Sequence, residues 1–323
     1  MKFRRIVLVL SVALGLSVSA WPTSAGAAPA IVEVRPGQSV ADALRRVAPG
    51  GTVVLHAGVH KPATVGPIAW SANVTLRPAA GAEGLVEVGE LNLRGLENLT
   101  IQGVRTRGLV TIDGGRGVTV ASSRPLGVLV KNGASQIDIV DNTIVGGWNG
   151  VTVHSWVGTA RPHHVRIAGN VISGQANDNV QIGIAHDVVV ENNVLTDPID
   201  NANHNDGVQL MGGERVVVRG NHLSGQDQAL MFKPEVSLGA DSAIVDARIE
   251  DNVISRTREF GVILLGTTRT TLVGNTVTDT PKQSVLLTGN NTGTVITGNV
   301  IGTFYVERTA TPPAVLRDNE ILG

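Results

Sequence analysis

The sequence predicts an all-β chain: a single-stranded right-handed parallel β-helix (solenoid) with a short N-terminal capping helix. Three observations predict it. The first is a repeated pattern, apolar-x-apolar-x-(small or polar)-Asn-x-apolar. It runs through IDIVDNTI at Ile137–Ile144, VRIAGNVI at Val165–Ile172, VVVENNVL at Val188–Leu195 and VVVRGNHL at Val216–Leu223. It returns as ARIEDNVI at Ala247–Ile254, TTLVGNTV at Thr270–Val277, TVITGNVI at Thr294–Ile301 and AVLRDNEI at Ala314–Ile321. The Asn residues (142, 170, 193, 221, 252, 275, 299 and 319) lie 20 to 31 residues apart. A repeat of about 20–50 residues marks a stacked architecture whose units bury a continuous core only together. The second observation is another series of short strands, one before each Asn-marked strand: GVLV at 127, GVTV at 150, NVQI at 179, GVQL at 207, ALMF at 229, GVIL at 261 and SVLL at 284. No helical period separates the two series. The third is composition. The chain has 39 glycines and only 3% aromatic residues, as tight turns and thin layers of branched aliphatics require.

The repeated Asn has two expected duties. It tolerates the left-handed backbone of a sharp bend. Its amide can also bond to the same amide on the rungs above and below.

Taken in order, residues 1–27 read as a secretory signal peptide. Lys2, Arg4 and Arg5 precede an apolar stretch from Ile6 to Ala20, and Ala25-Gly26-Ala27 is a cleavage pattern. The mature domain is then 28–323, with cap and first rung over 31–60. Ile31–Val34 is a strand. Ser39–Val47 is an amphipathic helix, N-capped by Ser39 and apolar at Val40, Ala43, Leu44 and Val47. It plugs the open first rung. Shorter strands follow at Val74–Arg77, Val86–Val88, Leu99–Gln102, Val110–Ile112 and Val118–Val120. At the far end either Phe304–Pro313 folds over the last rung or that edge meets a partner.

The early helix, the run PGGTVVLHAGVH at Pro49–His60 and the Asn-marked rungs together resemble the pectate lyase-like (pectin lyase-fold) right-handed β-helix superfamily, of the secreted carbohydrate-active type. The resemblance spans nearly the whole mature chain. It implies the fold, and it implies a lyase, hydrolase, esterase, epimerase or non-catalytic role without choosing among them.

Charge narrows the partners. Net charge is −1, with 26 Lys plus Arg against 27 Asp plus Glu, so neither nucleic acid nor a membrane surface is expected as a partner after signal cleavage. There are no cysteines, so the exported chain takes no stability from disulfides. A monomer secreted to the cell envelope or beyond, acting on a polysaccharide, is the expectation.

Stacking the strand quartets puts alternate residues in outward columns. One reads Leu129, Thr152, Gln181, Gln209, Met231, Ile263, Leu286; the next reads Lys131, His154, Gly183, Met211, Lys233, Leu265, Thr288. Polar residues concentrate on three middle rungs. The most pointed run is His204-Asn205-Asp206-Gly207-Val208-Gln209, echoed one rung earlier by Asn177–Gln181. Loops 155–164, carrying Trp156, and 234–243 flank the same face. His154, His163 and His164 read as surface residues.

Three function classes follow. A polysaccharide lyase acting on a uronic-acid polymer must neutralise a carboxylate, remove the adjacent proton and protonate the leaving oxygen. Lys233 is the expected base or carboxylate binder and His204 its acid or base partner, with Asp206 beside them. Gln181, Gln209, Asn177 and Trp156 are the expected substrate contacts. Asp178, Asp206 and Asp227 are the candidate set for a Ca²⁺ ion, which takes oxygen ligands. A glycoside hydrolase would instead draw two carboxyl groups from Asp178, Asp206 and Asp227. The third class is a non-catalytic β-helix that binds glycans or supports a surface assembly.

Overall fold

Alternation dictates the coil. In the quartets every second side chain points inward, and on successive turns those side chains meet only each other. Val128, Val151, Val180, Val208, Leu230, Val262 and Val285 form one inward column. Val130, Val153, Ile182, Leu210, Phe232, Leu264 and Leu287 form the second. None of these is more than 2% exposed. Parallel pairing joins them rung by rung in the register expected from the sequence, with Gln181 opposite Gln209, Gln209 opposite Met231 and Met231 opposite Ile263.

The computed structural model describes residues 28–199, 201 and 203–323; the expected signal segment 1–27 lies outside them. Among the described residues the strands assemble into parallel sheets of 15, 11, 8 and 3 strands. The first carries the strands leading to each Asn, from Ile31–Val34 to Val315–Arg317. The second carries the quartets, from Ala63–Val65 to Phe304–Val306. The third follows each Asn, from Thr143–Val145 to Glu320–Ile321. Three faces therefore enclose one aliphatic core. Among the described residues no helix is long and apolar enough to cross a membrane.

The Asn ladder runs unbroken through the bend between the first and third faces. Each Asn donates from Nδ2 to Oδ1 of the next, at 2.9–3.0 Å, through 142, 170, 193, 221, 252, 275, 299 and 319. The same oxygen also receives the previous Asn's backbone N–H. The left-handed duty falls elsewhere than expected. The residue before each Asn takes it: Asp141, Gly169, Asn192, Gly220, Asp251, Gly274, Gly298 and Asp318 have φ between 52° and 68°. The small or polar position in the repeat makes the bend, and the Asn is freed to bond along the stack.

The capping helix spans Val40–Arg46. Ser39 accepts a hydrogen bond from the Asp42 N–H, and Val40, Ala43 and Leu44 are buried. Ile31–Val34 pairs with Thr52–Leu55 beneath it. At the other end Phe304–Val306 pairs with Val285–Leu287. That segment extends the second face rather than folding over the last rung.

Candidate functional site

The second face brings the polar rungs together at the entrance of three strands, Val180–Ile182, Asp206–Leu210 and Gln228–Phe232. Its centre is an imidazole set on a buried carboxylate. Asp206 has no exposed surface. Its Oδ1 lies 3.2 Å from Nδ1 of His204, whose side chain is 48% exposed. The amide of Gln228, which stands opposite Asp206 on the next rung, lies against Nε2 of His204. Both Asp206 oxygens are buried, and no donor approaches them in full hydrogen-bond alignment. Burial therefore pushes the Asp206 carboxyl upward, against the pull of His204. The contact with Asp206 in turn raises the His204 imidazole above its usual value, partly offset by burial.

One rung earlier Asp178 is also fully buried. It accepts from the Asp206 N–H at 3.0 Å, from Gln181 Nε2 at 2.9 Å and from Asn177 Nδ2 at 3.0 Å. Burial, and next the Asp206 carboxylate, push its pKa up to about 7. Gln181 also donates to Gln209 Oε1 at 3.0 Å. Asn177 donates to Asn149 Oδ1 at 3.0 Å. The expected amides thus form one network that holds the Asp178 carboxyl.

This pair makes stability depend on pH. Asp178 binds its proton more tightly folded than unfolded, so its contribution is present below the unfolded value near 4 and is lost as pH rises through about 7. His204 is also raised when folded, so its contribution too is lost as pH rises. Denaturant unfolding at pH 5 and pH 8 is expected to show the native protein weaker at pH 8, with about 2–4 kcal/mol of the difference traceable to Asp178. Asp178→Asn is expected to flatten that dependence; an unchanged slope would place the raised carboxyl elsewhere.

Lys233 does not join the cluster. It lies five residues beyond Gln228, which is opposite Asp206, or roughly 16 Å along the strand at ~3.3 Å per residue. It is exposed at the far end of the face, so its expected pairing with His204 on one sugar ring is corrected. Alternation had placed both on one outer face without counting the distance along the strand.

The expected calcium set is not assembled either. Both Asp178 oxygens already accept hydrogen bonds. Asp227 accepts from the Asn205 N–H at 3.0 Å and faces Arg258 at 3.4 Å. Among the described residues no group of three or more His, Asp or Glu converges on one point. Asp178, Asp206 and Asp227 do not fit a shared ion.

Trp156 stands across the face from His204. It is 64% exposed, and its ring meets His154 edge-on at 4.6 Å. With Gln181, Thr152, Met211, Ser237 and Leu238 it lines a cleft of about 510 Å³. The two flanking loops wall this cleft as expected and are clasped by Arg161 and Asp241 at 2.5 Å. His154, expected on the surface, lies instead across Gly183, where any Cβ would meet its Nδ1. Both its ring nitrogens are buried without a partner, and desolvation lowers its pKa.

The family profile described as "Right handed beta helix region" matches residues 126–301, more than half of the chain. The chain belongs to this family. No curated protein sequence matches it. Among solved structures this β-helix is similar to three proteins of different roles. The PL6 family alginate lyase AlyGC superposes with a TM-score of 0.53 at 14% identity, over 90% of this chain and 51% of the lyase. The β-helix therefore spans about half the length of that lyase. The Streptococcus pneumoniae surface protein and adhesin PfbA gives 0.57 at 12% identity, over 89% and 88%. The thermostable GH87 α-1,3-glucanase catalytic unit of Streptomyces thermodiastaticus gives 0.57 at 15% identity, over 93% and 69%. At such identities these likenesses speak for the fold.

Within this β-helix two cations on the His204 edge of the second face escaped the sequence reading. Arg258 donates to the carbonyls of Gly225 at 2.8 Å and Pro198 at 3.1 Å, linking two earlier rungs. Lys282 sits 4.9 Å over the Phe260 ring and 2.9 Å from Glu259. Phe260 is opposite Gln228, so this cation lies on the same edge of the face as His204. Lys282 stands two residues before the quartet at 284, as Asp227 and Glu259 stand two before those at 229 and 261, and that alignment is the signal that could have found it.

Proposed function

We propose that this protein acts outside the cell as a polysaccharide lyase, cleaving an acidic polymer by β-elimination with His204 as the proton-transferring residue. The observation that carries the reading is the half-exposed imidazole seated on a fully buried carboxylate. Such a pair suits proton transfer, because the carboxylate orients the ring and stabilises the imidazolium that forms. Hydrolysis by two carboxyls needs both in contact with the sugar or its water. Asp178 and Asp206 have no accessible surface, which speaks against that alternative.

In the proposed step His204 removes the proton beside the uronate carboxylate. The electron pair forms the new carbon–carbon double bond and expels the glycosidic oxygen. The imidazolium then returns the proton to that oxygen. Asp206 acts through His204 and is a positioning residue. Lys282, on the same edge of the face, takes over from Lys233 as the cation that meets a uronate carboxylate further along the bound chain. Its backbone lies one rung beyond Phe260, three rungs or roughly 14 Å from Asp206.

The polymer continues over Gln209 and Gln181 into the cleft at Trp156, where the indole stacks on a sugar face. Trp156→Ala is expected to raise KM roughly 3–10-fold, the worth of about 0.5–1.5 kcal/mol for an aromatic contact, with kcat little changed. An unchanged KM on long substrates would remove Trp156 from the path.

The reading is tested on a panel of acidic and neutral polysaccharides, scored for ultraviolet-absorbing unsaturated ends and for reducing ends. Both signals together on an acidic polymer support elimination. Reducing ends alone would mean hydrolysis. Binding without product across the panel would mean a glycan-binding protein.

A further inference from the structure

A second site lies on the early rungs, away from His204. Arg77, Arg105 and Arg124 converge on a cavity of about 470 Å³, floored by Gln102 and Ser122 and walled by the Glu83 turn. The backbone fixes two of these cations side by side. Arg105 and Arg124 are directly bridged on neighbouring rungs, with the Thr106 N–H bonded to the Arg124 carbonyl at 3.1 Å and the Arg124 N–H to the Val104 carbonyl at 2.9 Å. Like charges directly opposite each other in a sheet repel.

The protein supplies little to offset them: Glu83 lines the same cavity, but among the described residues it pairs with none of the three. Glu87 is 3.6 Å from Arg105 and is shared with Arg107. Among the described residues Arg77 bonds only the neighbouring Pro78 carbonyl, at 3.1 Å. Among the described residues Arg124 makes no ion pair. All three arginines are solvent-exposed at the cavity rim. Three planar guanidinium forks around one hollow suit bidentate capture of an oxyanion. The hollow is also roomy, within the roughly 300–1,000 Å³ range of small-molecule sites, which fits a sugar residue that carries the oxyanion better than a bare ion.

We infer that Arg77, Arg105 and Arg124 form a second glycan-binding site, which holds an anionic sugar residue by its carboxylate or sulfate group. The site does not depend on the chemistry at His204. It lies three rungs or more up the coil, and it holds an acidic chain while the second face works on another stretch.

The test uses the full mature chain carrying His204→Ala, so that ligand is not consumed, and titration calorimetry with three probes: an acidic oligouronate, its carboxyl-reduced neutral form, and sodium sulfate. The expected result is oligouronate binding that weakens about tenfold or more at one of two sites in Arg77→Ala/Arg124→Ala, no binding of the neutral form at that site, and weaker competition by sulfate. Arg124→Lys is expected to retain part of the affinity. Unfolding midpoints should not move, because the side chains are exposed. Equal oligouronate affinity in the double variant would overturn the inference. So would sulfate binding as tightly as the oligouronate, which would mean a free-anion site. In the His204-intact protein the double variant should keep its cleavage of short oligosaccharides. Loss of the lyase reading with arginine-dependent binding intact would leave this site standing.

Discussion

His204→Ala is expected to lower turnover on the acidic polymer about 10²–10⁴-fold, the usual worth of a positioned acid–base group. Stability should fall at acid pH, where the charged imidazole pairs with buried Asp206, and change less at pH 8. Asp206→Asn separates orientation from charge. His204 works as a base only when neutral, so the rate rises with pH through its pKa. The Asp206 carboxylate raises that pKa, so its loss should shift the rising limb of the kcat/KM profile to lower pH while the plateau falls. A merely structural Asp206 would lower the plateau and leave the limb in place. Retained turnover in His204→Ala would remove the imidazole from the chemistry altogether.

Asn221→Ala is expected to be among the most damaging single changes to the fold. Asn221 Oδ1 accepts from the Asn193 N–H and Nδ2, each at 2.9 Å. Its Nδ2 donates to Asn252 Oδ1 at 3.0 Å and to the Val190 carbonyl at 2.9 Å. The site is 1% exposed, so water cannot replace these partners. Leaving buried groups unsatisfied costs about 1–3 kcal/mol each, and a loss of roughly 3–5 kcal/mol is expected from denaturant unfolding. Asn319→Ala, at the exposed end of the ladder, should cost far less. Equal effects at the two positions would contradict the stacked-amide account.

Much of the coil was legible because period and alternation are properties of the sequence itself. The quartets fix which side chains face in, and a one-residue slip would have turned Val208 and Leu210 outward. Local backbone detail was less legible. Both Gly220 and Asn221 tolerate the left-handed region, and only the ladder geometry assigns it to Gly220. The site was half legible. His204, Asp206, Gln209 and Asp178 fall together because they share strand entrances. Lys233 was misplaced because columns describe direction and not distance along a strand. Lys282 and Arg258 lie on rungs more than 50 residues from His204 in sequence, where side-chain reach rather than spacing decides what they meet.

The central claim is tested most directly by digesting the susceptible polymer in water enriched in heavy oxygen and weighing the fragments. Elimination takes no oxygen from water. The account predicts fragments with an unsaturated end and no heavy label beyond exchange at the reducing end, formed by the native protein and not by His204→Ala. Heavy oxygen built into saturated fragments would mean hydrolysis and would contradict it.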